Sequence, residues 1–132
     1  MKVFRVMRAD ESDGLPETGE TGRYLDVRPG VDIPVGENGF VEPRTGGMSV
    51  VPPPVANLAH HRLPREFGGS GRDPVFELDT DRLPEELVYR PDPDNLEGHG
   101  FIEPSRRMSF GDYRRIVHGT RASWHRLRPT VR

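Results

Sequence analysis

The sequence predicts an α+β fold built from short strands and one amphipathic helix near the C-terminus. Hydrophobic residues make up only 33% of the 132 residues, and 15 Gly and 14 Pro interrupt the chain so often that a long helical bundle is excluded. Apolar and polar residues alternate in short runs that are typical of strands. Residues 109–124 instead repeat apolar side chains at helical spacing. The length leaves room for one domain over residues 1–132.

The first predicted strand covers residues 3–8, in which Val3, Arg5 and Met7 share one face. The elements predicted after it are a polar, mobile loop over 9–21, a short element over 22–26 whose period fits helix or strand, a strand that begins within 45–51, and a flexible glycine connection over 68–71.

The second half of the chain has clearer patterns. Its predicted elements are a strand over 75–78, one helical turn over 83–87, an extended segment over 88–90, a turn over 91–94 and a strand over 99–103.

The C-terminal helix has both a start signal and a periodic apolar face. Ser109 is placed to cap its N-terminus, and Asp112, three residues later, completes a capping-box pattern. The residues expected on its buried face are Tyr113, Ile116, Val117, Thr120 and Trp124. We therefore expect this helix to pack on a sheet.

Charge is distributed unevenly along a chain whose net charge is −2. Residues 105–132 hold eight Arg and one acidic residue, a net +7, whereas the preceding 104 residues carry −9. This basic segment either attracts a nucleotide phosphate, a nucleic acid or an acidic partner, or folds back onto the acidic remainder of the chain.

Several classes of site are not favoured. Cysteine is absent, which excludes disulfides and thiolate metal sites, and His60-His61 has no partner at metal-ligand spacing. His118 and His125 stand two helical turns apart, too far for shared ligation, so we expect no metal. No apolar run approaches the ~18 residues of a membrane span, and the N-terminus becomes charged too early for a secretory signal.

The remaining candidates are polar residues on predicted strands. Arg5 lies in mid-strand, where a guanidinium is costly unless it meets an anion; the alternative is an exposed face of an edge strand. Thr45 and Ser49 flank glycines that allow a ligand to approach the backbone, although a simple turn before a strand fits equally. His99 and Glu103 share a strand face about 13 Å apart and so are able to bracket a ligand.

Taken in order, these segments resemble a family of small bacterial toxins, effectors of the type VI secretion system, with an ADP-ribosyltransferase-like fold. The segments that carry the resemblance, over nearly the whole chain, are Phe4-Arg5, Gly22-Arg23-Tyr24-Leu25, Thr45-Gly46-Gly47-x-Ser49-Val50, the strand from His99 to Pro104, and Met108.

The resemblance implies two small abutting sheets with a cleft for NAD between them, similar to diphtheria-type catalytic domains. Such enzymes break the glycosidic bond to nicotinamide through an oxocarbenium-like transition state, so the site must grip NAD and stabilise developing positive charge. The implied roles are Arg5 on a phosphate or ribose, Ser49 on the nicotinamide ribose, His99 as a hydrogen-bonding partner of NAD, and Tyr24 and Thr45 as further NAD-binding residues. The candidate catalytic residues are His99, Glu103 and Ser49.

Two positions depart from the family pattern. Met48 stands where the family has a threonine before the serine, and Glu103 is either a counterpart of the catalytic glutamate of ADP-ribosyltransferases or a surface residue.

The expected function is growth inhibition by cleaving NAD, or by transferring ADP-ribose to a target in the cytoplasm, with a cognate immunity protein as partner. The alternatives are a non-catalytic interaction module of the same fold and an Arg-rich nucleic-acid-binding protein. A nucleic-acid partner is less favoured, because part of the basic segment forms the polar face of the predicted helix. We expect no membrane partner.

Overall fold

The computed structural model describes residues 1–129, so Arg132, the last arginine of the basic segment, lies outside the described residues. Within residues 1–129 the chain forms eight strands and one α-helix. In chain order these are β1 (Lys2–Val6), β2 (Phe40–Val41), β3 (Met48–Val50), β4 (Val75–Asp79), β5 (Leu87–Asp92), β6 (Asn95–Pro104), β7 (Met108–Ser109), α1 (Phe110–Gly119) and β8 (His125–Arg126).

The strands form two three-stranded antiparallel sheets and a small two-stranded ladder. The first sheet has the order β1-β4-β8, the second has the order β3-β6-β5, and β2 pairs with β7. The two sheets meet where Phe4 and Val51 exchange two backbone hydrogen bonds of 2.9 Å. The predicted α+β class, with two small abutting sheets and a C-terminal helix, is confirmed.

Strand alternation divides the core into two clusters. Val3 and Met7 point into the larger cluster, which also contains the buried side of α1, whereas Phe4 and Val6 pack in a smaller cluster with Val51. Arg5 shares the face of Val3 and Met7, as its position in the sequence predicts.

The C-terminal helix begins as predicted but ends earlier. The Asp112 N–H donates to Ser109 Oγ at 3.1 Å, which is the expected N-cap. The helix ends at Gly119, where the Thr120 hydroxyl turns back to donate to the Val117 carbonyl at 2.7 Å. Trp124 is buried beyond the helix, and His125 lies on β8 rather than on the predicted helix.

Three other local expectations are corrected. Residues 22–26 form turns rather than a helix or strand, and the predicted helical turn at 83–87 is a reverse turn closed by a bond from the Leu87 N–H to the Pro84 carbonyl. The glycine run 68–71 is packed rather than free, because Gly69 and Gly71 lie against backbone carbonyls with no room for a side chain.

Some arginines in the described part of the basic segment reach back to acidic residues. Arg114 pairs with buried Asp26 at 3.0 Å, and Arg121 pairs with Asp10 and Asp13 in the N-terminal loop. These arginines therefore hold the helix and the segment after it against the first thirty residues. None of the helices described within residues 1–129 is long and apolar enough to cross a membrane.

One buried hydroxyl joins the helix to the second sheet. Tyr113 Oη donates to the Ile102 carbonyl on β6 at 2.5 Å and accepts from the Met48 N–H on β3 at 3.2 Å. Burial raises the pKa of Tyr113 well above its usual value, so the hydroxyl keeps its proton and its donor role.

Removing this hydroxyl leaves a buried donor and acceptor unpaired. We expect Tyr113→Phe to lower the free energy of unfolding by about 1–3 kcal/mol, measured by urea denaturation. Tyr89→Phe is the matched control, because the Tyr89 hydroxyl has no hydrogen-bond partner among residues 1–129, and its cost is expected to be near zero. Equal stabilities of the two variants would contradict the bridging role.

Candidate functional site

Strands of both sheets line a cavity of about 350 Å³ beside the point where the sheets meet. We call it the first cavity. Three residues singled out from the sequence, Arg5 on β1, Ser49 on β3 and His99 on β6, reach it from different strands. Its lining residues are Phe4, Arg5, Val6, Ser49, Val50, Val51, Asn57, Leu58, Ala59, Arg62, Asn95, Gly98 and His99.

The guanidinium of Arg5 is buried in the wall of the first cavity, with 8% of the residue exposed. Nη1 donates to the Ser49 carbonyl at 2.8 Å and Nη2 donates to the Tyr24 carbonyl at 2.9 Å. Nε is buried and has no hydrogen-bond partner within residues 1–129. Desolvation, aided by the positive charge of Arg62, lowers the pKa of Arg5 to about 10, so the side chain remains a cation at neutral pH.

Arg62 places a second positive charge on the same cavity. Its Nη2 donates to the carbonyls of Gly22 at 2.9 Å and Val6 at 3.2 Å. Neither Arg62 nor Arg5 forms an ion pair with a carboxylate in the part of the chain that the structure describes. Two uncompensated guanidinium groups make this wall of the cavity attractive to an anion.

Ser49 and its neighbour Met48 point to opposite sides of β3. Ser49 is half-buried and faces the first cavity, and its hydroxyl makes no hydrogen bond to the described residues. Met48 is 1% exposed and belongs to the larger core cluster. Because successive side chains on a strand alternate, the methionine at this position removes no hydroxyl from the cavity.

His99 is held in place from the neighbouring strand. Its Nδ1 lies 2.8 Å from Asp92 Oδ2 on β5, and the Phe101 ring packs edge-on with its centroid 4.9 Å from that of the imidazole. An ionised carboxylate only accepts hydrogen bonds, so the Nδ1 atom of His99 carries a proton, and in the neutral imidazole Nε2 is then the acceptor. The pKa of Asp92 is held below its usual value by the backbone N–H of Asp94 and then by His99.

The side chains of Tyr24, Thr45 and Glu103 lie outside the first cavity. The Tyr24 ring packs over Gly19 while only its carbonyl reaches Arg5, and the exposed Thr45 hydroxyl donates to the Glu42 carbonyl at 2.8 Å.

Glu103 is 3% exposed, so it is not the surface residue of the alternative interpretation. Its Oε2 accepts from Arg90 Nε at 2.8 Å and from the Arg44 N–H at 3.2 Å. These partners balance the negative charge of the Glu103 carboxylate inside the second sheet. Arg90 also stacks over Phe101, 5.5 Å from the ring centroid, and thereby connects Glu103 to the packing around His99.

Arg62 and Asp92 are site residues that the sequence analysis missed. Arg62 lies in an irregular segment with no periodic signal, and Asp92 lies at the predicted turn. A sequence signal for Asp92 existed, because a tight turn between β5 and β6 sets the register of a hairpin and so brings Asp92 close to His99. Among residues 1–129 no group of three His, Asp or Glu side chains is arranged to hold a metal ion.

Comparison with protein-family models gives a match over most of the chain. A family model described as Tse2 ADP-ribosyltransferase toxin matches residues 2–121, which include β1 to β7, α1 and every residue that lines the first cavity. Searches of curated proteins and of solved structures gave no match.

The Asp92–His99 contact predicts a difference in acid stability. Because the folded-state pKa of Asp92 is depressed, its ionised form stabilises the fold above the unfolded value of 3.8, and this contribution is lost as the pH falls through the folded pKa. His99→Ala is expected to raise the pKa of Asp92 part of the way back, because the Asp94 N–H remains. Carboxyl titration by NMR measures this; an unchanged Asp92 pKa would contradict the contact.

Proposed function

The chain belongs to the Tse2 ADP-ribosyltransferase toxin family, and from this premise we propose that it inhibits growth by binding NAD in the first cavity and breaking the bond between ribose and nicotinamide. The observation that carries the proposal is the convergence of Arg5, Ser49 and His99, from three strands in two sheets, on one cavity. The family resemblance noted in the sequence is confirmed.

The first cavity suits the phosphates of NAD. A pyrophosphate carries two negative charges, and Arg5 and Arg62 offer two guanidinium groups without carboxylate partners among the described residues. The buried Nε of Arg5 lacks a hydrogen-bond partner there as well. A volume of about 350 Å³ falls within the usual range of small-molecule sites, roughly 300–1,000 Å³.

Bound NAD supplies an electrophilic ribose carbon once nicotinamide begins to leave. On the protein side, Ser49 Oγ and His99 Nε2 are free to hydrogen-bond ribose hydroxyls and thus fix the sugar while its charge changes. Asp92 binds Nδ1 of His99, so that Nε2 of the neutral ring is the acceptor for the sugar. The lowered pKa of Asp92 keeps its carboxylate negative behind the imidazole. A negative charge so placed stabilises an oxocarbenium-like transition state.

Glu103 has a positioning role in this proposal. Its carboxylate is bound by Arg90, which stacks on Phe101, and Phe101 packs against His99.

The toxin family also supports a cognate immunity protein and a target in the cytoplasm of the affected cell as partners. Tyr24 contributes through its carbonyl, which binds Arg5, whereas Thr45 lies outside the first cavity and has no part in this proposal.

Replacing His99 tests the proposal directly. We expect His99→Ala to reduce nicotinamide release from NAD about 10- to 100-fold, because a hydrogen bond made in the transition state is lost. Cells expressing this variant should grow, whereas cells expressing the unsubstituted protein should stop growing. His125→Ala is the matched control, since His125 is exposed on β8 and away from the cavity.

Two results would contradict the proposal. The first is an unsubstituted protein that neither binds nor consumes NAD and whose expression leaves growth normal. The second is a folded His99→Ala protein with full toxicity, which would instead favour a non-catalytic interaction module.

A further inference from the structure

A second cavity, of about 360 Å³, lies next to the first. Val6 and Arg62 line both cavities, so the two spaces adjoin at these residues. The polar residues of the second cavity are Arg23, His61, Arg62, Ser70, Arg72 and Asp73. Apart from Arg62, none of these polar residues has a part in the proposed role of the first cavity.

The second cavity has an excess of positive charge. Its one carboxylate, Asp73, is bound by both Nε and Nη2 of Arg23, at 2.9 and 3.0 Å. Arg62 donates only to carbonyls, and no ion pair or side-chain hydrogen bond involves exposed Arg72 within residues 1–129. Arg72 therefore faces this space without a counter-ion from the described chain, beside the hydroxyl of Ser70 and beside Arg62, which the second cavity shares with the first.

The loop that presents these groups is fixed by its own backbone. The Ser70 N–H donates to the His60 carbonyl at 3.0 Å, and the Gly71 N–H donates to the Leu63 carbonyl at 2.9 Å. Gly69 also packs against the Leu63 carbonyl, where a Cβ would not fit. A loop closed in this way fixes the backbone positions from which His61, Ser70 and Arg72 extend, which lowers the entropic cost of binding.

We propose that the second cavity binds the phosphate group of a small phosphorylated acceptor and holds that acceptor beside the first cavity for ADP-ribosyl transfer. The acceptor role rests on the proposed function of the first cavity. In the transfer, a lone pair on the acceptor forms a bond to C1′ of the nicotinamide ribose. The bond from C1′ to the nicotinamide nitrogen breaks with its electron pair going to nicotinamide, and the acceptor proton passes to water.

The charges elsewhere favour a small acceptor over a nucleic acid. A nucleic acid needs a basic track along its backbone. Arg114 and Arg121 of the basic segment instead pair with Asp26, Asp10 and Asp13, and the net charge of the chain is −2. Arg62 and exposed Arg72 instead meet at a single cavity, which suits one phosphate group.

Phosphate binding is the first test. The probe is inorganic phosphate, titrated into the whole protein saturated with ADP-ribose so that the first cavity is filled, with the amide signals of residues 70–73 followed by NMR. We expect these signals to shift and Arg72→Gln to weaken phosphate binding about tenfold, because one charge-assisted contact is lost. Arg65→Gln, an exposed arginine of the same loop outside both cavities, should bind phosphate as the unsubstituted protein does.

Acceptor use is the second test. With NAD and a mixture of nucleoside 5′-monophosphates and glycerol 3-phosphate, mass spectrometry should find a product heavier than one phosphate ester by one ADP-ribosyl group. Arg72→Gln should reduce its formation about tenfold while hydrolysis of NAD in water stays unchanged.

The outcomes separate the two proposals. If the protein binds ADP-ribose but phosphate causes no shift at residues 70–73, the second site is overturned and the proposed function of the first cavity stands. The same holds if Arg72→Gln binds phosphate as tightly as the unsubstituted protein. Phosphate binding that depends on Arg72, in a protein that neither binds ADP-ribose nor consumes NAD, overturns the acceptor role together with the proposed function. Single-stranded DNA that displaces phosphate with a steep salt dependence overturns the assignment to a small acceptor.

Discussion

The buried guanidinium of Arg5 is the interaction on which the arrangement of the site depends. A charged group in the core face of a strand is costly unless its donors are satisfied, and here the carbonyls of Ser49 and Tyr24 accept from the two Nη groups, while Nε has no partner among residues 1–129. These two bonds tie the first sheet to the second and to the turn at residues 22–26. Because carbonyls rather than a carboxylate hold the side chain, its positive charge is left available to a ligand.

Strand alternation then determines which side chains reach the first cavity. On β3 it sends Ser49 to the cavity and Met48 to the core, so the departure from the family pattern falls on a packing position. On β6 it gives His99, Phe101 and Glu103 one common face, along which partners on β5 fix each residue. The site is therefore a property of how two small sheets are joined rather than of any one loop.

Local patterns in the sequence predicted the features that depend on neighbouring residues. The face shared by Val3, Arg5 and Met7 and the cap at Ser109 follow from alternation and from a contact three residues away. Which of the candidates meet at one cavity depends on long-range pairing.

Long-range strand pairing decides which candidate site residues reach the first cavity, and the sequence alone did not show this. Glu103 is paired with Arg90 across neighbouring strands, while Arg62 comes from an irregular loop to share the cavity with Arg5.

A structure of the protein crystallised with a non-hydrolysable NAD analogue tests the central claim most directly. A pyrophosphate oxygen within hydrogen-bond distance of Arg5 or Arg62, with the nicotinamide ribose at Ser49 and His99, is the predicted result. An analogue bound elsewhere, with the first cavity empty, would contradict it.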